Sequence, residues 1–300
     1  MGFLCVHRVS GLFLGSLVLS FAFPLGAGAQ GGFPAEYRIS GFALGPQAYS
    51  FNRYSFFEAI DKAKELGCKV IEAYPGQKLS PDEPNVKFSH DVPDSVLAKV
   101  NKKLEEAGVH LVAYGVVSLG KDEAANRKVF DFARNMGISI ITSEPEEDSF
   151  GVIEKLVKEY DIKVAIHNHP KRDDDPNYKY WDPNYVLKCV QDLDPRIGAC
   201  ADTGHWARSG VKPIEALKIL EGCIVSAHMK DLNEFGVRDA HDVPWGTGVC
   251  DVKGILDELR RQHFTGVISM EYEYNWENNV PDMLKCVEFV REYGKALKKK

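Results

Sequence analysis

From residue 38 onward the chain alternates short apolar runs with longer stretches whose apolar positions recur every three to four residues. Val70-Ile71 and Val164-Ala165-Ile166 are unbroken apolar runs with polar residues at both ends, the pattern of strands covered on both faces. Val129-Phe130, Phe132-Ala133 and Met136 instead repeat near a helical period, which marks a helix with one buried face. The pattern predicts strands over 38–43, 69–73, 110–114, 139–143, 163–167, 197–202, 223–228 and 267–271. It predicts helices over 55–66, 93–107, 123–136, 150–160, 184–193, 213–220, 252–262 and 281–297. Gly67, Gly108, Gly137 and Gly266 stand just before strands, where a glycine stops the preceding helix. Pro93 and Pro213 sit where a first helical turn tolerates them.

Strand–helix units repeated at about 30-residue intervals imply a parallel α/β fold. An open doubly wound sheet wants a Gly-rich fingerprint after its first strand. Here that turn reads Gly41-Phe42-Ala43-Leu44-Gly45-Pro46-Gln47, which is not one. The expectation is a (β/α)8 TIM barrel, a single domain over 37–297. Its active site then belongs at the C-terminal strand ends.

Before the barrel, 1–29 reads as a signal peptide. Arg8 precedes an apolar stretch from Val9 to Phe23, and Ala27-Gly28-Ala29 supplies a small-x-small cleavage pattern. The stretch is short for a membrane span and is broken by Pro24. Residues 30–36 then form a flexible lead-in, and the mature form has no membrane span. The protein is expected to be exported, periplasmic or secreted. Cleavage removes Arg8 and no acid, which takes the formal net charge from −6 to −7. With no basic stripe beyond Lys298-Lys299-Lys300, a nucleic-acid partner is not expected. Six cysteines remain, most inside apolar helix or strand patterns and none in a CxxC, and they read mostly as small buried hydrophobes.

The predicted strand ends carry a biased set of residues: Glu72, Tyr114, Glu144, His167-Asn168-His169, Asp202-Thr203-Gly204-His205, His228-Met229-Lys230-Asp231 and Glu271-Tyr272-Glu273. Carboxylates converging in a barrel mouth repel one another unless a cation neutralises them. A divalent ion held by carboxylates and imidazoles resolves that cost. Alternatives remain for single residues. Asp202 also suits a helix cap, His228 a satisfied core histidine, and Glu72 a pair with a basic neighbour. Either of Glu271 and Glu273 suits a ligand role.

Ala201-Asp202-Thr203-Gly204-His205, Ser226-Ala227-His228-Met229-Lys230-Asp231, Pro244-Trp245-Gly246-Thr247-Gly248 with Asp251, and Ile268-Ser269-Met270-Glu271 resemble the xylose isomerase-like barrel superfamily. That group includes sugar-phosphate isomerase/epimerase-type proteins, ketose 3-epimerases, inosose dehydratases and type IV apurinic endonucleases. The resemblance implies one divalent ion (Mn²⁺, Co²⁺, Zn²⁺ or Mg²⁺) held by acids and a histidine on strands 5 to 8. Asp202, His228 and Glu271 match that pattern. Strand 5 departs from it, because the family's Glu-Asn-His reads His167-Asn168-His169 here, and Glu144 one strand earlier is the expected source of the missing carboxylate.

The expected ligand set is therefore Glu144, His167, Asp202, His228 and Glu271. His169 or His205 is the expected base and Lys230 an electrostatic helper. Glu72, Tyr114, Trp206 and Trp245 are candidate substrate contacts, with Tyr74, Trp181, Tyr272 and Trp276 as further rings able to stack on a sugar. The implied chemistry is removal of a proton α to the carbonyl of a keto-sugar, with a metal stabilising the enediolate. Reprotonation isomerises or epimerises the sugar. Loss of a β-leaving group, from a keto-sugar or a 3-keto-glycoside, makes the enzyme a lyase or dehydratase. A small-molecule sugar or keto-glycoside is the expected substrate. An apurinic endonuclease-like enzyme and a non-catalytic sugar-binding barrel are the lesser alternatives.

Overall fold

The structure is a computed structural model and describes residues 32–299 of the 300-residue chain. The signal-peptide expectation for 1–29 lies outside the described residues. Eight strands alternate with helices: β1 Phe42–Pro46, β2 Val70–Ala73, β3 His110–Val117, β4 Ile140–Ser143, β5 Lys163–His167, β6 Ile197–Asp202, β7 Ile224–Met229 and β8 Val267–Met270. The order β1-β8-β7-β6-β5-β4-β3-β2 has every neighbouring pair parallel. A parallel bridge between Gln47 and Glu72 joins β1 to β2 and closes the sheet into a barrel.

The helices are α1 Phe56–Glu65, α2 Asp94–Ala107, α3 Glu123–Asn135, α4 Phe150–Tyr160, α5 Pro183–Val190, α6 Thr203–Arg208, α7 Pro213–Ile219, α8 Val252–Arg261 and α9 Val280–Leu297. Local chemistry sets their ends. Ser55 and Glu58 form a reciprocal capping box at α1, the Asp122 side chain accepts two backbone N–H groups at α3, and Gly108 ends α2 in the left-handed region at φ 65°.

The first strand differs from its expectation. Residues 38 and 39 form a short strand that folds back antiparallel on β1. Ser40 and Gly41, at φ 54° and 94°, reverse the chain, so the barrel strand starts only at Phe42. β3 runs three residues beyond its predicted end, which removes Tyr114 from a strand end. Within the segment 30–36, expected as a flexible lead-in, Phe33 is partly buried and residues 34–36 are exposed. Phe33 and Tyr37 lie against an apolar cluster of Ala43, Val70, Val112, Ile140, Val225 and Val267, and Tyr37 stacks on His110 at 4.3 Å. They cover the barrel end where the strands begin. All six cysteines among the described residues are free, and four of them are buried.

On β5, β6 and β8 two cores divide the strand residues by parity, and on β7 they do so from Ser226 onward, past a register shift. Val164 and Ile166, Ala199 and Ala201, Ala227 and Met229, and Ile268 and Met270 (alternate positions on β5 to β8) belong with the helices in the larger core. Ala165 and Cys200 belong to the inner cluster. Two residues further along the inner face come His167 and Asp202, with His228 and Glu271 at the matching level of β7 and β8. Burying each aliphatic side chain between sheet and helices contributes about 1.5–3 kcal/mol, which holds this register.

Candidate active site

His167, Asp202, His228 and Glu271 thus meet at the C-terminal end of the barrel. One ligand atom from each lies within 4.8 Å of all the others. Asp202 and His228 are fully buried, His167 is 1% exposed and Glu271 7%. Side chains brace the strand ends. The Asn168 amide accepts from Asp202 N–H at 2.9 Å and donates to the Asp202 carbonyl at 3.0 Å. The Thr203 hydroxyl makes the same two-way bridge to the backbone of Lys230.

Both imidazoles have a carboxylate behind them. His228 Nε2 lies 2.9 Å from Glu72 Oε2, and His167 Nδ1 lies 3.4 Å from Glu144 Oε1. The opposite nitrogens, His228 Nδ1 and His167 Nε2, are buried and have no hydrogen-bond partner. They face Glu271 at 3.2 Å and Asp202 at 3.6 Å. A carboxylate on one ring nitrogen and a bare nitrogen aimed at other acids is the arrangement metal-ligating histidines adopt. Burial works against charge on His167, yet Asp202 and Glu144 raise it to about 9. The field that draws a proton to this imidazole also suits a divalent ion.

Glu72 reaches across the barrel interior. Besides His228 it accepts from Thr142 Oγ1 at 2.7 Å and Ser269 Oγ at 2.5 Å. Burial alone would raise its carboxyl, but His228 and the two hydroxyls outweigh that and hold it below the ordinary carboxylate range.

Lys230, also fully buried, brings an ammonium to the same acids. Its Nζ lies 2.5 Å from Asp202 Oδ2, pairs with Glu271 Oε2 and lies 3.5 Å from Glu273 Oε2. Burial opposes the charge, but the acids raise the Lys230 ammonium well above its usual value. Gly204 makes room for it: a Cβ there would fall 2.6 Å from the Lys230 side chain.

The other two histidines are held differently. His169 Nδ1 pairs with Glu144 Oε1, which leaves the Nε2 lone pair free on a side chain 39% exposed. Glu144 also accepts from the Tyr178 hydroxyl at 2.8 Å, and that hydroxyl in turn accepts from His169 N–H at 2.6 Å. His205 Nδ1 lies 3.0 Å from Arg208 Nη1. A guanidinium only donates, so Nδ1 is the acceptor and Nε2 carries the hydrogen. Burial, opposed by Asp202, keeps the His205 imidazole well below its ordinary value, and Lys230 and Arg208 push in the same direction. His205 is a neutral donor.

A family model described as a xylose isomerase-like TIM barrel matches residues 60–293. The chain belongs to this family. Among solved structures, the chain is similar to an uncharacterised protein of Parabacteroides distasonis, 34% identical, aligned over 84% of this chain and 99% of that one at a TM-score of 0.67. A D-tagatose 3-epimerase-like protein is 18% identical over 85% of this chain and 98% of its own, at a TM-score of 0.65. The IolI protein, crystallised with a zinc atom, is 15% identical over 84% and 98%, at a TM-score of 0.62. The last two share the fold. No curated protein matches the chain.

Within this xylose isomerase-like barrel, the structure brings Asp202, His228, Glu271, His167, Lys230, His205, His169 and Glu144 together. Glu144 lies behind His167 and His169 rather than in the four-residue ligand set, though it forms a second possible ligand group with those two histidines. Glu72, expected to touch substrate, is instead buried behind His228. Tyr114 points to the helix layer, with its hydroxyl 3.1 Å from His90 Nδ1 and its ring 4.8 Å from Phe132. Trp206 and Trp245 are buried in the larger core, 1% and 3% exposed. A ring read from sequence as a sugar platform serves there as packing, because its strand or loop turns it outward.

Arg208 and Tyr178, which the sequence did not single out, and Asp231, which it gave no role, also belong here. Arg208 ties His205 to Glu273 at 2.9 Å and to Asp242 at 3.2 Å. Its spacing of three from His205 on α6 was the available signal. Tyr178 comes from the long loop after β5, whose contacts no periodicity foretells. Asp231, in the His-Met-Lys-Asp run, accepts from the backbone N–H of Gly246, Gly248, Cys250 and Leu232. A Cβ on Gly248 would meet Asp231 Oδ1 at 2.4 Å. That run of the Trp-Gly-Thr-Gly motif is a loop clasped by one carboxylate.

Proposed function

We propose that this chain is a divalent-metal-dependent isomerase or epimerase acting on a keto-sugar. The observation that carries the proposal is the pair of bare, buried imidazole nitrogens of His167 and His228, each backed by a carboxylate and facing Asp202 and Glu271. A divalent ion bound there would supply Lewis-acid stabilisation of negative charge on the substrate oxygens. Likeness to an epimerase-like barrel and to a zinc-bearing barrel supports the reading.

The side chains divide the remaining work. His169 Nε2 takes the proton from the carbon next to the carbonyl, and Glu144 at Nδ1 orients the ring and steadies the imidazolium that forms. His205 Nε2–H donates to a substrate oxygen without giving up its proton. Lys230 offsets the charge of Asp202, Glu271 and Glu273 in a space with little water. Returning the proton to a different carbon isomerises, and returning it to the other face epimerises.

Elimination shares every step as far as the enediolate. It needs one base only, the part His169 takes, whereas epimerisation with two bases on opposite faces needs a second group beside it. The test is to measure bound metal by elemental analysis and then incubate the loaded protein with keto-sugars and 3-keto-glycosides in deuterium oxide. Deuterium at the α-carbon, lost on chelation, is the expected result. Bound metal with no exchange on any sugar would leave a binding barrel instead.

A further inference from the structure

Beside the cluster, on the side of the loops after β7 and β8, lies an open cleft of about 480 Å³, within the range of small-molecule sites. Two of its lining residues also touch the cluster. Glu273 Oε2 lies 3.5 Å from Lys230 Nζ, and Arg208 Nη1 lies 3.0 Å from His205 Nδ1. Anything seated in the cleft is therefore next to the reacting ring.

Aromatic rings, His241, Tyr274 and Trp276, line it beside the charged Arg208, Arg238, Asp239 and Glu273. His241 stacks on Tyr274 at 4.3 Å and 30°, and Trp276 meets Tyr49 edge-on at 5.8 Å, which in turn meets Tyr74 at 5.1 Å. Tyr274 is 46% exposed and Tyr49 40%. Tyr274, half in water at the opening, and Trp276, whose other neighbour Tyr49 lies outside the lining, offer a platform for an apolar face. Polar groups sit between them. Arg238 Nη1 donates to the Lys171 carbonyl at 2.5 Å, which ties this wall to the loop that carries Tyr178. Asp239 and Glu273 face the same space.

The charges decide which chemistry fits. Arg208 is already paired with Glu273 and Asp242, and the remaining charged lining residues, Arg238 and Asp239, are of opposite sign. An anion such as a phosphate would gain little and would meet carboxylates. A neutral ring with an apolar C–H face and a rim of hydroxyls matches aromatic faces interleaved with donors and acceptors.

We propose that this cleft is a subsite for a second sugar ring, so that the substrate is a glycoside rather than a free monosaccharide. The proposal rests on the sugar reading of the active site and narrows its substrate class. It is tested with unreactive sugars, which need no proton transfer. Calorimetric titration of the purified protein with cellobiose, maltose and sucrose is compared with glucose and glucose 6-phosphate.

At least one disaccharide is expected to bind about tenfold or more tightly than glucose. Trp276→Ala should bring that ratio down to about one, and Trp276→Phe, which keeps a ring, should preserve most of it. The proposal is overturned if no disaccharide outbinds glucose, if the ratio survives Trp276→Ala, or if glucose 6-phosphate binds best. Loss of deuterium exchange with the disaccharide preference intact would sink the catalytic reading and leave the subsite standing.

Discussion

Glu72 Oε2 lies 2.9 Å from His228 Nε2, across the barrel interior from β2 to β7. The carboxylate makes Nε2 the protonated nitrogen and turns Nδ1, which has no hydrogen-bond partner, toward Glu271. Glu72 thereby sets both the tautomer and the tilt of the imidazole proposed as a metal ligand, from behind the ring.

The Glu72→Gln variant keeps the size and one acceptor but loses the charge. Its affinity for a divalent ion is expected to fall about 10- to 100-fold, as for other partners of ligating histidines. Competition with a chromogenic chelator measures this. Wild-type affinity in the variant would show that Glu72 serves the core alone.

Lys230 leads to a prediction about stability. Its ammonium is the cation nearest Asp202 and Glu271, so Lys230→Met leaves buried acids uncompensated. Removing one member of a buried ion pair costs about 3–5 kcal/mol. A divalent ion can take over the neutralising role, so the variant's melting temperature should drop in chelator and recover on adding metal by more than wild type gains. Thermal melts with and without metal read the difference, and equal metal effects in both proteins would refute the shared-acid arrangement.

How far could these relationships be read in the sequence? Elements came through well, because parallel strands covered on both faces are continuous apolar runs and their helices keep one apolar stripe. β1 was misjudged because Arg38-Ile39 and Phe42-Ala43 read as one run. The reversal at Ser40-Gly41 is a matter of backbone angle, signalled only by one glycine. Asp202, His167, His228 and Glu271 were legible because strand ends in a closed parallel sheet face one mouth. Which acid stands behind which imidazole was not. Glu72 and Glu144 differ from Glu271 only in depth and direction, and those are set by Thr142, Ser269 and Tyr178, distant in the chain. Tyr114, Trp206 and Trp245 misled for the same reason: a ring's type does not say which side of the sheet it packs on.

His169 and Glu144 form the proposed base and its orienting acid. His169→Gln is expected to lower α-proton exchange about 10²- to 10⁴-fold with the metal content unchanged. Glu144→Gln should cost less in rate but also weaken metal binding, because Glu144 lies behind His167 too. Single-turnover exchange beside elemental analysis separates the two effects. A rate preserved in His169→Gln would move the base elsewhere.

Asp242 gives a pH dependence. Burial, only partly offset by Lys230 and Arg208 and reinforced by Glu273 and Asp202, raises its carboxyl from 3.8 to about 8. A group raised in the folded state contributes stability at low pH and loses it as pH climbs through the folded value. This residue should therefore pull stability down between about pH 4 and 8, and Asp242→Asn should flatten that part of the profile. Denaturant unfolding at several pH values checks it, and an unchanged slope in the variant would contradict the assignment.

Arg208 and His205 allow the most direct test of the site's protonation logic. Because the guanidinium at 3.0 Å can only donate, His205 must accept at Nδ1 and carry its hydrogen on Nε2. Nitrogen-15 spectra of the ring should show this tautomer across the neutral range in wild type. Arg208→Met removes the donor and an obstacle to protonation, so His205 should become a mixture of tautomers and begin to titrate. Exchange activity should fall, mainly through kcat, because the substrate oxygen loses an oriented donor during proton transfer. A pure Nε2–H tautomer persisting in Arg208→Met would mean that Asp202, 3.7 Å from Nε2, holds the ring by itself. Arg208 would then only join α6 to Glu273.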